Sequence, residues 1–255
     1  MDTFDLFILG QPSLDVNTDF GGETIRCVGG AVVYSGWAAS AAGHKTAVLP
    51  KCNPSQIDME AVFAGSRGVK IFPLASPEST SIENGYLSAD RERRTCRAIS
   101  RIEPYRVSEI PDVKAGVYHI AGLMKGDLGG DIIEYAANRS VAAVDVQCLL
   151  RCVEDGAMVF HDWAEKEKYL PMIGFLKTDA AEVEILTGLT DRAAAARQLH
   201  AWGAREIMIT HNTEALVYDG KKIYTSPLVP RNLKGRTGRG DTIFATYLGE
   251  RLTKE

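Results

Sequence analysis

The chain has 255 residues, of which 45% are hydrophobic and 24% are charged, so it can form one large α/β domain with a sizeable core. Its formal net charge of −4 gives no broad basic surface for nucleic acid or an acidic membrane, and no apolar run approaches the ~20 residues of a membrane span. Because residues 1–5 are acidic rather than basic, we expect no signal peptide, and hence a cytoplasmic protein without nucleic-acid or membrane partners.

Short apolar segments recur along the chain, separated by helical patterns. The first, 4–9, ends at Gly10, and a helix of small residues follows over 31–42 and stops at Gly43. Further buried strands are predicted at 45–49, 69–72, 117–121, 141–146, 158–160, 175–177 and 207–210. Because strands alternate with helices, the pattern predicts an α/β fold with a mostly parallel sheet covered on both faces.

Two polar segments interrupt this alternation. Residues 19–27 and 80–100 are rich in Thr, Ser, Arg and Glu and partly alternate, which predicts antiparallel strands with one face in water. We expect a small β-sheet lid, formed by residues of about 16–28 and 78–102, inserted in a single domain over 1–255. An exposed sheet edge favours pairing with a second lid, so a homodimer is a further expectation.

The segment 235–241, Gly-Arg-Thr-Gly-Arg-Gly-Asp, leads directly into an apolar helical pattern that includes Phe244 and Leu248. A helix N-terminus presents about four unpaired N–H groups and roughly half a positive charge, which suits a phosphate. Asp241, in the first turn, can accept a proton from a hydroxyl, and these two properties suffice in outline for phosphoryl transfer to an alcohol. From these residues alone, an aspartate that caps a helix is an equally good interpretation.

Two further clusters can bind a ligand. Asp179 and Glu182 lie three residues apart at the start of a predicted helix, so they share a face and can hold a hydrated Mg²⁺ ion. The alternative is a capping box, which is compatible with metal binding. The pair Gly29-Gly30 at the entrance to the first helix lets a ligand approach backbone N–H groups, although taken alone it is typical of an ordinary turn. P-loop, zincin and nucleophile-elbow motifs are absent.

In their order along the chain, these features resemble the ribokinase-like (PfkB) carbohydrate kinases. The resemblance rests on Asp15 after Gly10, Gly29-Gly30, Asp179-x-x-Glu182, Thr210 and the signature over 237–241. It implies a ribokinase-like three-layer sandwich with a β-sheet lid. It also implies an enzyme that uses ATP and Mg²⁺ to phosphorylate a hydroxyl of a small sugar or polyol.

The resemblance further implies a role for each matched residue. Asp241 is the catalytic base, and Gly238, Arg239 and Gly240 belong to the anion-binding turn beside it. Substrate hydroxyls are held by Asp15, Gly29 and Gly30. The nucleotide and its metal are bound by Thr210, Arg236, Thr237, Asp179 and Glu182, the last two acting on Mg²⁺ through water.

Several positions depart from the family pattern. Tyr34 and Asp179 stand where asparagines are usual, and Arg236 and Arg239 replace other residues of the signature. These departures are similar to the branch that includes myo-inositol kinases, which favours a cyclic polyol as substrate.

An inositol offers a ring of hydroxyls that Asp15, Asn84 and Gln147 can bind together, and Arg239 can add positive charge near the transferred phosphoryl group. Phosphorylation of myo-inositol to an inositol monophosphate is therefore the preferred reaction. The alternatives are a kinase for another sugar or a nucleoside, and a non-catalytic sugar- or polyol-binding protein on the same scaffold.

Overall fold

A computed structural model of the protein describes residues 2–88, 93–229 and 237–253. Its strands, in chain order, are β1 (Thr3–Leu9), β2 (Ser13–Thr18), β3 (Thr24–Gly29), β4 (Thr46–Leu49), β5 (Lys51–Cys52), β6 (Lys70–Ile71), β7 (Leu74–Ala75), β8 (Thr80–Tyr86), β9 (Arg94–Ser100), β10 (Lys114–Ile120), β11 (Val141–Asp145), β12 (Arg151–Glu154), β13 (Ala157–Phe160), β14 (Ile173–Asp179), β15 (Glu206–Thr210), β16 (Glu214–Tyr218) and β17 (Ile223–Pro227).

The helices, in chain order, are α1 (Ala31–Ala41), α2 (Met59–Phe63), α3 (Gly130–Arg139), α4 (Gln147–Leu150), α5 (Lys166–Tyr169), α6 (Ala180–Thr187), α7 (Arg192–Ala201) and α8 (Arg239–Thr253). Short 3₁₀ turns also lie at Val107–Glu109 and Leu170–Met172. Over the part of the chain that the structure describes, none of these helices has the length and hydropathy to span a membrane.

The main sheet has nine strands among the described residues, in the order β17-β16-β15-β14-β11-β10-β1-β4-β6. The strands from β15 to β6 run parallel, whereas β16 and β17 are added antiparallel at one edge. In β1, Leu6 and Ile8 pack on one face while Phe7 and Leu9 pack on the other, and all four are fully buried. Two buried faces explain why the parallel strands are continuous apolar runs.

Helices cover both faces of this sheet. Buried side chains of α1, α2 and α8 join the core on the Leu6 face, and those of α3, α6 and α7 join the core on the Phe7 face. The structure therefore confirms the predicted α/β class with a mostly parallel central sheet between two helical layers.

A second sheet has six strands among the described residues, in the order β12-β13-β9-β8-β2-β3. The sequence pattern predicts antiparallel strands here, but β2 runs parallel to β8. The chain leaves β3 through α1 and crosses part of the main domain before it returns at β8. This long crossover is what a parallel pair requires.

The prediction of a core strand at residues 158–160 is wrong. These residues belong to β13, which forms a hairpin with β12 in the second sheet. The hairpin turns at Asp155 and Gly156, which have φ angles of 48° and 80°. This strand is apolar in sequence, but neighbouring residues cover it only partly. Phe160 is 41% exposed, and the Arg151 guanidinium lies over its ring.

Candidate active site

A cavity of about 900 Å³ lies between the two sheets, at the carboxyl ends of the parallel strands. Its volume falls in the range of about 300–1,000 Å³ that is usual for small-molecule sites. The second sheet contributes residues of β2, β8 and β9, the main sheet contributes the ends of β14 and β15, and α1 and α8 contribute their first turns. The carboxyl edge of a parallel sheet is the expected location of a ligand site in an α/β protein.

Asp15 lies on β2 and lines the cavity with its buried carboxylate, which accepts a hydrogen bond from Ser13 Oγ at 2.7 Å. Gly29 stands directly behind it, because a Cβ atom at position 29 would overlap Asp15 Oδ2. Gly30 has a φ angle of 102° and caps α1, and it lines the cavity whereas Gly29 does not. Gly29 thus makes room for Asp15, and Gly30 exposes the start of α1 to a ligand.

Asn84 and Gln147 both line the cavity, and neighbouring groups fix both side-chain amides. Asn84 Nδ2 donates to Asn17 Oδ1 at 3.0 Å, and Asn84 Oδ1 accepts from Cys96 Sγ at 3.1 Å. Gln147 Nε2 donates to the Gly122 carbonyl at 3.2 Å, and Gln147 Oε1 accepts from Arg151 Nη2 at 2.9 Å. A ligand therefore meets amides that are already oriented.

Thr237 and Gly238, just before α8, and Arg239 and Gly240, its first two residues, all line the cavity. Gly238 has a φ angle of 82°, a left-handed conformation that glycine adopts without strain. A Cβ atom at Gly240 would lie 3.2 Å from Lys177 Nζ, so the turn approaches this ammonium closely. The N–H groups of the first turn and the adjacent cation together form a strong anion-binding environment. Arg236, predicted to contact the nucleotide, lies outside the described residues.

Asp241, in the first turn of α8, is the centre of a buried charge cluster. Lys177 Nζ lies 2.7 Å from Asp145 Oδ2 and 3.9 Å from Asp241 Oδ1. The side chains of Asp145 and Lys177 are 1% and 8% exposed, and that of Asp241 is 14% exposed. Burial raises the pKa of Asp241 to about 6; Lys177 opposes this shift and Asp145 adds to it. Such a carboxylate is ionised near neutral pH and more basic than an ordinary aspartate, as a general base requires.

Asp179 and Glu182 form the predicted capping box at the start of α6. Asp179 Oδ1 accepts from the backbone N–H groups of Ala181 and Glu182, and Glu182 Oε2 accepts from the Asp179 N–H at 2.9 Å. Both residues also line the cavity, and burial together with Asp179 raises the pKa of Glu182. Within residues 2–88, 93–229 and 237–253, no three His, Cys, Asp or Glu side chains are grouped so that they could hold a metal ion by themselves.

This arrangement fits Mg²⁺ only in the mode in which the ion keeps several waters and binds one or two carboxylates plus the phosphates of a substrate. Asp179 and Glu182 are the residues that would hold the ion through water. When bound in that way, the ion supplies charge neutralisation to phosphate oxygens.

Thr210 ends β15 next to Asp179 in the register of the main sheet, and it lines the cavity beside the α8 turn. Four further residues have no role in the sequence-based prediction: Tyr34, Arg151 and Lys177, which line the cavity, and Asp145, which pairs with Lys177. The sequence does mark two of them, because Asp145 and Lys177 are charged residues near the carboxyl ends of apolar strands. Isolated buried charges are costly, so such positions indicate a paired or functional group.

The known proteins that we compare with this chain are kinases. The chain is similar to a pyrophosphate-dependent kinase in the ribokinase family solved with sulfate, with 33% identity, a TM-score of 0.90, and coverage of 98% of this chain and 88% of that chain. It is also similar to a pyrophosphate-dependent kinase of the same family complexed with a pyrophosphate analogue and myo-inositol, with 32% identity, a TM-score of 0.89, and coverage of 97% and 87%.

Among curated proteins, a cytidine kinase of Thermococcus kodakarensis is 26% identical over 266 residues, which cover 96% of this chain and 87% of the relative. No protein-family profile matches the chain.

Proposed function

The chain belongs to the ribokinase family and is a phosphotransferase that acts on a hydroxyl group, and we propose that it transfers a phosphoryl group from pyrophosphate to a cyclic polyol such as myo-inositol. One observation carries this proposal: Asp241 lies beside Lys177 and the anion-binding turn, in the same cavity as Asp15. A base, a phosphate site and a hydroxyl-orienting carboxylate are thus grouped in one enclosed volume.

In the proposed reaction, Asp241 accepts the proton of the substrate hydroxyl as its oxygen attacks phosphorus. A new oxygen–phosphorus bond forms, the bond between that phosphorus and the bridging oxygen breaks, and inorganic phosphate leaves with the bond electrons. Lys177 and the N–H groups of the first turn of α8 neutralise charge on the phosphoryl oxygens. Asp15 holds another hydroxyl of the acceptor, which fixes the orientation of the ring.

The second sheet supplies Asp15 and Asn84 to this arrangement. We therefore propose that it acts as the lid of the enzyme and excludes water from the acceptor.

Two observations support pyrophosphate as the phosphoryl donor, in place of the ATP expected from the sequence. The two kinases that share about a third of their residues with this chain are pyrophosphate-dependent. In addition, four described residues that line the cavity, Thr210, His211, Asn212 and Arg239, are polar or charged. A nucleobase usually requires a mainly apolar slot, whereas pyrophosphate requires cations and N–H donors.

A matrix of donors and acceptors tests the proposal. Pyrophosphate and ATP are each combined with myo-inositol, ribose and cytidine, and phosphorylated products are measured by ³¹P NMR and mass spectrometry. We expect the highest kcat/KM for pyrophosphate with myo-inositol. A clear preference for ATP would refute the proposed donor, and a preference for ribose would refute the proposed acceptor.

Cytidine is the second candidate acceptor because of the relative in T. kodakarensis. Asp241→Asn serves as the control in every combination, because it removes the base without changing the size of the side chain.

A further inference from the structure

Tyr34 occupies an unusual position in the cavity. It projects from the first turn of α1 and lines the cavity together with Asp15 and Asp241. A Cβ atom at Gly238 would overlap Cγ, Cδ1 and Cδ2 of Tyr34, so the tyrosine ring rests directly on the backbone of the anion-binding turn. One aromatic side chain thus borders the anion-binding turn and lines the same cavity as Asp15.

The electrostatic surroundings of Tyr34 keep its hydroxyl protonated. Burial raises the pKa of Tyr34 to about 12, and the carboxylates of Asp15 and Asp241 add to this shift. Asp15 belongs to the second sheet and Asp241 to α8, so the phenol lies within electrostatic range of both sides of the cavity. At neutral pH the hydroxyl keeps its proton and can donate a hydrogen bond to an acceptor oxygen.

We propose that Tyr34 sets the size limit of the acceptor: its ring narrows the space between Gly238 and Asp15, so that an unsubstituted polyol ring reaches Asp241 but a nucleoside does not. This inference rests on the proposed function, because it assumes that the acceptor lies between Asp15 and Asp241.

The physical basis is steric exclusion by a rigid group. A tyrosine side chain has two χ angles, and here the contact with Gly238 leaves no space for the ring to move toward the turn. Excluding a competing substrate requires an unfavourable contact with it, not only favourable contacts with the correct one. On this proposal, the base of a nucleoside meets the Tyr34 ring, whereas a compact polyol lies beside the ring and uses the phenol as a donor.

Three variants separate the effect of the Tyr34 ring from that of its hydroxyl group. Tyr34→Phe keeps the ring and removes only the hydroxyl, Tyr34→Leu removes the ring but fills the helix position, and Tyr34→Ala opens the cavity fully. Tyr224→Ala is the matched control, because Tyr224 is 49% exposed and does not line the cavity. Thermal unfolding establishes that each variant is folded, and Tyr34→Leu replaces Tyr34→Ala if the latter is not.

The measured quantity is the ratio of kcat/KM for cytidine to kcat/KM for myo-inositol, with the donor that the wild-type enzyme uses. We expect Tyr34→Ala and Tyr34→Leu to raise this ratio by about tenfold or more, which corresponds to about 1.4 kcal/mol in relative transition-state binding. Tyr224→Ala should keep the wild-type ratio within about threefold, and Tyr34→Phe, which loses only the hydrogen bond of the phenol, should raise the ratio less than Tyr34→Leu does.

The possible failures are distinguishable. If the wild-type enzyme prefers myo-inositol but the ratio does not change in Tyr34→Ala or Tyr34→Leu, the size limit is refuted and the proposed function stands. If the wild-type enzyme prefers cytidine, both are refuted. If turnover is undetectable, calorimetric titration with the two acceptors gives the same comparison: cytidine binding gained only in Tyr34→Ala or Tyr34→Leu supports the size limit, and its absence refutes it.

Discussion

The charge cluster around Asp241 predicts that two substitutions shift the pH dependence of activity in opposite directions. Asp145→Asn removes a negative charge that raises the pKa of Asp241, so the pKa of Asp241 should fall. Lys177→Met removes the positive charge that lowers it, so the pKa of Asp241 should rise. Because Asp241 acts as a base only when deprotonated, activity is retained above its pKa and lost below it. The acid limb of the pH profile should therefore move down in the first variant and up in the second.

The distances indicate the size of the effect. Two unit charges 4 Å apart interact by about 4 kcal/mol at an effective dielectric constant of about 20, and about 1.4 kcal/mol corresponds to one pKa unit. Lys177 Nζ is 3.9 Å from Asp241 Oδ1, but its 2.7 Å contact with Asp145 cancels much of its field. Removal of Asp145 exposes Asp241 to more of that field, so we expect a shift of at least about one pH unit.

The assay is kcat/KM for the acceptor from about pH 4 to about pH 9, where the profile of the free enzyme reports the pKa of its base. The wild-type midpoint should lie near pH 6, the value to which burial raises the pKa of Asp241. Asp112→Asn is the control, because Asp112 pairs with Arg139 at an exposed site and neither residue lines the cavity. Identical midpoints in wild type, Asp145→Asn and Lys177→Met would refute the assignment of the acid limb to Asp241.

Three further predictions concern single residues of the site. Asp241→Asn should lower kcat by about 10²-fold or more while acceptor binding, measured by calorimetry, changes little; normal turnover would exclude Asp241 as the base. Gly29→Ala should displace the Asp15 carboxylate and raise the acceptor KM by about tenfold or more, since a hydrogen bond to a charged group contributes about 1.5–3 kcal/mol; an unchanged KM would show that Asp15 does not bind the acceptor. Arg239→Ala should lower kcat, because Arg239 lines the donor side of the cavity, and intact turnover would argue against a role in stabilising the phosphoryl group.

The main domain could be predicted from sequence because its strands are buried on both faces and therefore appear as uninterrupted apolar runs. The family and the enzyme class were also accessible, since the order of the glycine and carboxylate motifs is specific, and both predictions are confirmed by relatives at 32–33% identity. The nucleotide predicted as donor rests on family resemblance alone, and the two pyrophosphate-dependent relatives favour a different donor.

Other features needed the three-dimensional structure. The strand at residues 157–160 looks like a core strand in sequence, although the Asp155-Gly156 pair before it is a strong hairpin signal. Asp145 and Lys177 come from strands β11 and β14, and only the pairing of those neighbouring strands brings their charges within 2.7 Å. The contact of Tyr34 with Gly238 joins α1 to the turn before α8, two regions far apart in the chain. No local sequence pattern predicts a contact between residues so far apart in the chain.

The parallel pairing of β2 with β8 has a consequence for how the molecule folds. A hairpin sheet can form from one continuous stretch of chain, but these two strands meet only after the intervening segment, with α1, β4 and α2, has returned the chain to the same edge. Closing a loop between distant parts of a chain costs conformational entropy, and proteins with many such contacts fold slowly. The part of the second sheet that carries Asp15 therefore depends on that intervening segment of the main domain, and both sheets should unfold in one cooperative transition.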